Sequence, residues 1–517
     1  MQLESFLEQS ARQYPEKIAV VCGTRRLSYA NLEAAANRLA HGLIAEVVRR
    51  GDRVAIYLDN SVDAVISIFA ILKAGAVFMM VNPSTKSDKL VYMLNDSRAQ
   101  AMILPGRRAA ALEEQWTLVP HLGNVITTGR DQLPSPRRDK SCVLFDDLIE
   151  SQGQHSDPPP KRAIDVDLAA LIYTSGSTGN PKGVMLTHLN MVSAATSITT
   201  YLENTPDDII LNVLPMSFDY GLYQVLMAVK FGGTVVLEKS FAYPHAVLDT
   251  LVHQRATGLP IVPTMSAILL QMDLTRYDLS SLRYVTNTAA ALPTEHIMQL
   301  RQLFPHVRLY SMYGLTECKR VSYLPPEELD RRPASVGRGM PNEEVYVVDE
   351  EGRRVAPGVV GELVVRGSNV MRGYWELPEE TARVLRPGPL PGEKVLHTGD
   401  LFRTDEDGYL YFVGRKDDII KSRGEKVSPR EVENVLYSHP DVSEAAVIGV
   451  PHPIFGQAIH AVVSLKPQRC ATERDLLRHC AAHLEDFMVP QSVEVRDSMP
   501  KSGNGKIDKR ELCGAET

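Results

Sequence analysis

The sequence predicts an α/β protein. It has a large N-terminal domain of two αβ-layered sheet subdomains plus a small β-subdomain, then a small α+β C-terminal domain. Three observations predict this. Helical and strand patterns alternate over about the first 125 residues and resume from 184 to 325, as expected for parallel sheets covered by helices. From 343 to 413 the pattern changes to short β-rich segments. After Gly414 about 100 residues of mixed helix and strand remain, the size of a separate domain. A chain of 517 residues is also too long for one core. The predicted division is 1–414 and 415–517, with the boundary near Gly414-Arg-Lys-Asp417.

Taken in order, Leu32–Val47 reads as a helix because Leu32, Ala35, Leu39 and Leu43 recur at helical spacing. Arg53–Leu58 reads as a strand. The apolar run from Ala64 to Val81 is interrupted by Lys73 and Gly75 and stopped by Asn82-Pro83. It therefore reads as a buried helix, Val62–Lys73, turning into a core strand, Val77–Val81, and not as a membrane span. Gly129 to Arg162, rich in Pro, Arg, Asp, Ser and Gln, reads as a surface excursion. Leu168–Ile172 is a short buried strand. Glu343–Val348, Gly361–Arg366 and Tyr409–Val413 form the β-subdomain. The C-terminal part carries a helix Pro429–His439, strands Glu444–Val450 and Gln457–Leu465, a helix near Glu473–Leu484 and a polar, Gly-rich tail.

Composition narrows the function. With 44% hydrophobic and 23% charged residues the chain has the make-up of a soluble globular protein. A net charge of -7 argues against nucleic-acid binding. The six cysteines are scattered without a CxxC pair, against a zinc site or a disulfide framework and in keeping with a reducing cytoplasm. The N-terminus has neither the positive nor the apolar region of a secretory signal, and no membrane partner is expected.

The most informative stretch is Tyr173-Thr-Ser-Gly-Ser-Thr-Gly-Asn-Pro-Lys-Gly183. Its glycines let the backbone turn tightly and bring N–H groups to an anion. The hydroxyls of Thr174, Ser175, Ser177 and Thr178 can donate to phosphate oxygens, and Lys182 adds a mobile positive charge. It is not a Walker A loop: counting from Gly176, Pro181 stands where the second glycine belongs and Gly183 where the hydroxyl belongs. A flexible Gly/Ser linker is the competing reading. The strand before the run and Pro-Lys-Gly after it favour a phosphate cradle.

Six further motifs follow in order: Ser311-Met-Tyr-Gly-Leu-Thr-Glu317, Gly361-Glu-Leu-Val-Val-Arg-Gly367, His397-Thr-Gly-Asp400, Gly414-Arg-Lys-Asp417, Lys421-Ser-Arg-Gly424 and Pro500-Lys-Ser-Gly-Asn-Gly-Lys506. The series resembles the superfamily of AMP-forming adenylating enzymes: acyl-CoA synthetases, adenylation domains of nonribosomal peptide synthesis, and luciferases. The resemblance covers essentially the whole chain. It implies a ligase that joins a carboxylic acid to AMP, releasing pyrophosphate, and passes the acyl group to a phosphopantetheine thiol on CoA or on an acyl or peptidyl carrier protein. ATP and Mg²⁺ are the implied cofactors.

The resemblance also implies residue roles. Lys506 corresponds to the catalytic lysine that bridges carboxylate and phosphate, although Lys501, Lys509 and Arg510 surround it and a solvated lysine is the bland reading. Thr316 and Glu317 resemble the pair at the α-phosphate, with Glu317 holding Mg²⁺. Thr174, Ser175, Gly176, Ser177, Thr178, Gly179 and Lys182 would hold the β- and γ-phosphates. Tyr313, with Gly314 and Ala289, would border the nucleotide, Tyr313 against the adenine face or else as a core tyrosine. Asp400 would accept the ribose hydroxyls, with Arg415 as a second contact. Asp417 matches the hinge about which the small domain rotates, and the segment around Gly424 would face the thiol channel.

For the acid, Pro215-Met-Ser-Phe-Asp-Tyr-Gly221 is the main clue. Many fatty acyl-CoA synthetases carry a His near this place. Here Phe218-Asp219 resembles amino-acid adenylation domains, whose aspartate meets the substrate ammonium. A helix N-cap is an equal alternative for Asp219. Tyr220, Tyr223, Asn287, Met312, Arg320 and Val321 complete the implied pocket. Cys318-Lys-Arg320 after Glu317 resembles stand-alone ligases that load proline onto a carrier protein, and the wider pattern resembles acyl-CoA ligases of exopolysaccharide clusters. Lys319 or Arg320 is read either as answering a second substrate carboxylate or as a surface charge. An amino acid, with proline the named candidate, loaded onto a carrier protein is thus the first expectation, and a CoA synthetase for a small or medium acid the second.

Overall fold

A computed structural model describes residues 1–129, 140–150, 153, 156–174, 181–288, 292–422, 425–452, 454, 456–502 and 505–513. Two large sheets, one small antiparallel sheet and a C-terminal sheet make up the fold. The first large sheet has nine strands. Five of them, Ile209–Asn212, Thr234–Leu237, Gly258–Ile261, Tyr284–Asn287 and Arg308–Leu315, are joined in parallel. Cys318–Leu324 then pairs antiparallel with Arg308–Leu315. The second large sheet has eight strands, including Arg53–Ile56, Val77–Met80 and Leu168–Thr174.

Local chemistry accounts for the elements that carry these sheets. The helix Tyr29–Glu46 begins where Ser28 accepts a hydrogen bond from the Asn31 N–H. In Val62–Lys73 eleven of twelve residues are buried, because the helix packs on Tyr29–Glu46 and against strands of both large sheets and has no water-facing side. Its N-cap is Ser61, which accepts from the Ala64 N–H. Lys73, the one charge in the predicted apolar run, is held by Glu33 at 2.8 Å and Glu8 at 3.3 Å. Among the described residues no helix is long and apolar enough to cross a membrane.

One expectation is corrected. Part of the predicted excursion, 130–139 with 151, 152, 154 and 155, lies outside the described residues. The remainder holds a strand, Ser141–Leu144, that adds in parallel to Asn124–Thr128, and a helix, Phe145–Glu150, that buries Phe145 and Leu148. Val143-Leu144-Phe145 and Leu148 are apolar enough to dock a short unit, a signal masked by the polar residues on either side.

The small antiparallel sheet joins Glu343–Val348, Gly361–Gly367, Leu385–Pro387, Lys394–Thr404 and Leu410–Arg415. The last residue of that sheet is Arg415, and Ile420 opens the next sheet, so the link falls at 416–419 beside the predicted boundary. The C-terminal sheet contains Ile420–Ser422, Glu425–Val427, Val442–His452, Gly456–Leu465 and Ser492–Arg496, with helices Pro429–Tyr437 and Glu473–His483. The long hairpin Val442–His452/Gly456–Leu465 is in register over most of its length.

The buried lysine gives a stability test. Lys73→Met leaves Glu33 without its cation and Glu8 with Lys161 alone, and loss of one partner of a buried pair costs about 3–5 kcal/mol. The urea midpoint of the first unfolding transition should fall accordingly, and an unchanged midpoint would show that the carboxylates find water instead.

Candidate active site

A cavity of about 750 Å³ opens at the carboxyl ends of the parallel strands in the nine-stranded sheet, where such sheets bind ligands. Residues at or just beyond those ends line it: Ser217, Phe218 and Asp219, then Pro263 and Thr264, then Thr288, then Met312 to Glu317. The small sheet contributes Asp400, Phe412 and Arg415, and the C-terminal domain contributes Gly505 and Lys506.

Thr316 and Glu317 are the two central residues of the hairpin between Arg308–Leu315 and Cys318–Leu324, since Leu315 pairs with Cys318 across the turn. The hairpin is irregular. Tyr313 pairs with Ser322, so Gly314 alone stands opposite Lys319, Arg320 and Val321. This bulge puts Arg320 in the left-handed region, φ 54°. It fits only because residue 314 is glycine: a Cβ there would lie 2.9 Å from the Arg320 Cα and N. The bulge breaks strand alternation, and both Lys319 and Arg320 reach the cavity.

The nucleotide side is polar and partly pre-paired. Asp400 and Arg415 are direct cross-strand partners, with Arg415 Nε 3.5 Å from Asp400 Oδ1. The Tyr313 hydroxyl donates to Asp400 Oδ2, while Oδ1 has no hydrogen-bond partner among the described residues. Burial raises the Asp400 pKa and the Arg415 charge opposes the rise. A buried carboxylate oxygen without a donor suits a sugar hydroxyl. The Tyr313 ring is braced edge-on by Phe402, centroids 4.8 Å apart. Glu317 accepts from the Tyr374 hydroxyl at 2.8 Å. Thr174 ends its strand at the cavity wall, and Lys182 Nζ is 2.7 Å from Glu380 and 5.4 Å from the Tyr374 ring centroid. Ser175, Gly176, Ser177, Thr178, Gly179, Ala289 and Gly424 lie outside the described residues.

Lys506 is held in place by its own loop. The Ser502 N–H donates to the Lys506 carbonyl at 2.8 Å, Gly505 adopts φ 75°, and the Thr264 hydroxyl donates to the Gly505 carbonyl at 2.7 Å across the domain boundary. The Lys506 ammonium lies 5.6 Å from the Phe218 ring centroid. Burial lowers its pKa, opposed chiefly by Asp219. Asp417 is exposed in the interdomain link, on the cavity rim.

The acid side differs from expectation in two ways. Asp219 begins the helix Asp219–Phe231, but Phe218 is the N-cap and makes no side-chain cap bond. The Asp219 carboxylate instead meets Lys319 Nζ at 2.9 Å, and both side chains are under 10% exposed. Burial lowers the Lys319 pKa and Asp219 opposes it. Lys319 and Arg320 are thus buried, not surface charges. Of the expected pocket residues, Asp219, Met312 and Arg320 line the cavity; Tyr220, Tyr223, Asn287 and Val321 are buried behind its wall. Tyr220 is tied there by its hydroxyl, which donates to the Thr286 carbonyl at 2.7 Å. Sequence reasoning missed the braces Tyr374, Thr264 and Glu380, which lie far along the chain from the groups they touch and carry no local signature.

A parallel sheet with a polar cavity at its strand ends, a buried lysine brought to it by a second domain and a buried carboxylate oxygen without a donor fit a nucleotide-dependent acid-activating enzyme. Residues 7–375 match the AMP-binding enzyme family and 431–506 match the AMP-binding enzyme C-terminal domain; the chain belongs to this family and is an AMP-forming acid–thiol ligase. It is 33% identical to a long-chain-fatty-acid–CoA ligase of Bacillus subtilis, over 100% of this chain and 94% of that protein. It is 32% identical to a plipastatin synthase of Bacillus subtilis, over 98% of this chain and 19% of that protein. Among solved structures, the anthranilate CoA ligase AuaEII with anthranoyl-AMP superposes with TM-score 0.90 at 28% identity, covering 99% of this chain and 96% of that one. ATP-bound MatB from Rhodopseudomonas palustris gives TM-score 0.86 at 29% identity, covering 99% and 98%.

Asp219 sustains the protonation of Lys506 and Lys319 alike. Asp219→Asn removes that support, so both lysines lose their protons at lower pH. The alkaline limb of ATP–pyrophosphate exchange should move to lower pH in the variant; an unmoved limb would show that neither lysine's charge governs the step.

Proposed function

We propose that this ligase activates a short polar acid. The observation that carries the reading is the buried Asp219, Lys319 and Arg320 at the acid end of the cavity, where a long alkyl tail would need apolar walls. In the first step a carboxylate oxygen attacks the α-phosphorus of ATP. A P–O bond forms, the α–β bridging P–O bond breaks, and pyrophosphate leaves with the electron pair. Two anions must meet, and the Lys506 ammonium supplies the opposing charge between them. Asp400 and Arg415 would hold the ribose, Tyr313 would flank the base, and Thr316 would donate to the α-phosphate. Glu317, a lone carboxylate braced by Tyr374, suits Mg²⁺ completed by phosphate oxygens, and that ion would neutralise phosphate charge. In the second step a phosphopantetheine thiolate attacks the acyl carbon and AMP departs.

Two members of the class fit. An amino acid, proline included, would bring its ammonium to Asp219 in place of Lys319, and a peptidyl carrier protein is then the acceptor. An acyl-CoA synthetase for a small acid is supported by the Lys319–Asp219 pair, which leaves Asp219 satisfied without a substrate cation. A cytoplasmic location belongs to either reading.

Pyrophosphate exchange across amino acids and simple acids separates them. An amino acid should win and lose activity in Asp219→Ala under the first reading; a simple acid should win, whatever residue 219 is, under the second. In both, Lys506→Ala should slow adenylation by about a hundredfold or more and spare thioester formation from preformed acyl-adenylate. Equal slowing of the two half-reactions would remove Lys506 from its role.

The link at Asp417 is proposed as the hinge that changes the domain from the adenylating to the thiol-accepting orientation. Asp417→Pro should preserve one half-reaction and cripple the other. Unimpaired overall thioester formation would exclude a hinge at this residue.

A further inference from the structure

The chemistry above uses Lys506 and leaves the deeper cations without a task. Lys319 and Asp219 balance one another. Arg320 has no counter-charge among the described residues. Its Nη1 meets the Met312 sulfur and, at 3.4 Å, the Tyr201 hydroxyl. Nε and Nη2 find no hydrogen-bond partner among the described residues. The residue is 1% exposed yet lines the cavity. A thioether is a weak acceptor, and the Tyr220 ring, 4.9 Å from the guanidinium carbon, offers only its face.

A guanidinium remains charged at any working pH, and burying it unpaired is costly. The hairpin bulge nonetheless holds it there in a left-handed backbone conformation. Its planar fork matches a carboxylate through two parallel N–H···O bonds. Charge counting agrees. Of the cations Lys319, Arg320 and Lys506, Lys319 holds the ion pair with Asp219, and no ion pair engages Arg320 or Lys506 among the described residues, which leaves two positive charges. A monoacid answers one of them. An ammonium-bearing acid adds a cation and leaves Arg320 unanswered.

We propose that Arg320 binds a second carboxylate at the far end of the acid, so that the substrate is a short dicarboxylic acid or another short acid with a distal carboxylate. This rests on the short-polar-acid reading and narrows it. One carboxylate lies at Lys506 and becomes the acyl phosphate; the other stays ionised at the Arg320 fork, with Lys319 beside it.

The test is ATP–pyrophosphate exchange by the full chain with short linear diacids, their monomethyl esters and monoacids of equal length. A site built for a polar group rejects the analogue that lacks it, so kcat/KM for the best diacid should exceed that for its ester by about a hundredfold or more. Arg320→Met should lower the diacid value by about as much and bring the diacid-to-ester ratio towards one. Calorimetric ATP binding confirms that the variant is folded, and if it is not, the wild-type comparison decides alone. Equal use of diacid and ester, or a preference that survives in Arg320→Met, overturns the proposal. Exchange with neutral amino acids or alkyl acids alone overturns it and leaves the ligase reading standing. No exchange with any acid overturns both.

Discussion

Mutual repulsion between a carboxylate and a triphosphate governs this architecture. The reactants carry like charge, and a dry cleft strengthens their repulsion as it does every other electrostatic term. In the proposed mechanism this is met by Lys182, at the start of a strand of one large sheet, and by Lys506 on the second domain, while Arg415 on the small sheet stands beside the ribose. None of these is left loose. Lys182 leans on Glu380, Arg415 on Asp400 and Lys506 on a loop fastened through Thr264. Each cation is therefore placed before the nucleotide arrives, which reduces the reorganisation required during reaction.

Much of this organisation was legible in the chain. Alternating helix and strand patterns located the large sheets, because a buried parallel strand and an amphipathic helix have different periods. The run 173–183 stood out by its glycines, hydroxyls and lysine, although 175–180 lie outside the described residues, whereas Thr316-Glu317, Asp400 and Lys506 stood out only through the resemblance of their motifs to the adenylating superfamily. The short strand Ser141–Leu144 escaped notice for the opposite reason: four residues carry too little periodicity to rise above a polar background. The acid pocket was only half legible. Residues 219 and 319 are a hundred positions apart, and no local rule predicts that their charges will meet. Tyr220, Tyr223, Asn287 and Val321 were placed in the right neighbourhood, but helix and strand geometry turned them into the core behind the wall.

Asp219 shows how one carboxylate can serve two designs. In a pocket without other charges it calls for a substrate cation. Beside Lys319 it is already paired, and the same aspartate becomes a support that holds a buried lysine at the cavity wall. The meaning of a motif residue thus depends on a partner that the motif does not contain. That partner is fixed here by the fold, through the bulge that follows the Thr316-Glu317 turn.

That bulge separates what must be constant from what can vary. The turn residues sit at the tip of the hairpin, fixed by the Leu315–Cys318 pair. The three residues looping out opposite Gly314 are outside the ladder pairing; Lys319 and Arg320 turn to the cavity, and Val321 packs in the core. Under the role proposed for Arg320, two adjacent positions one step along the chain from the reaction centre set which acid is taken, while the phosphate chemistry rests on other residues.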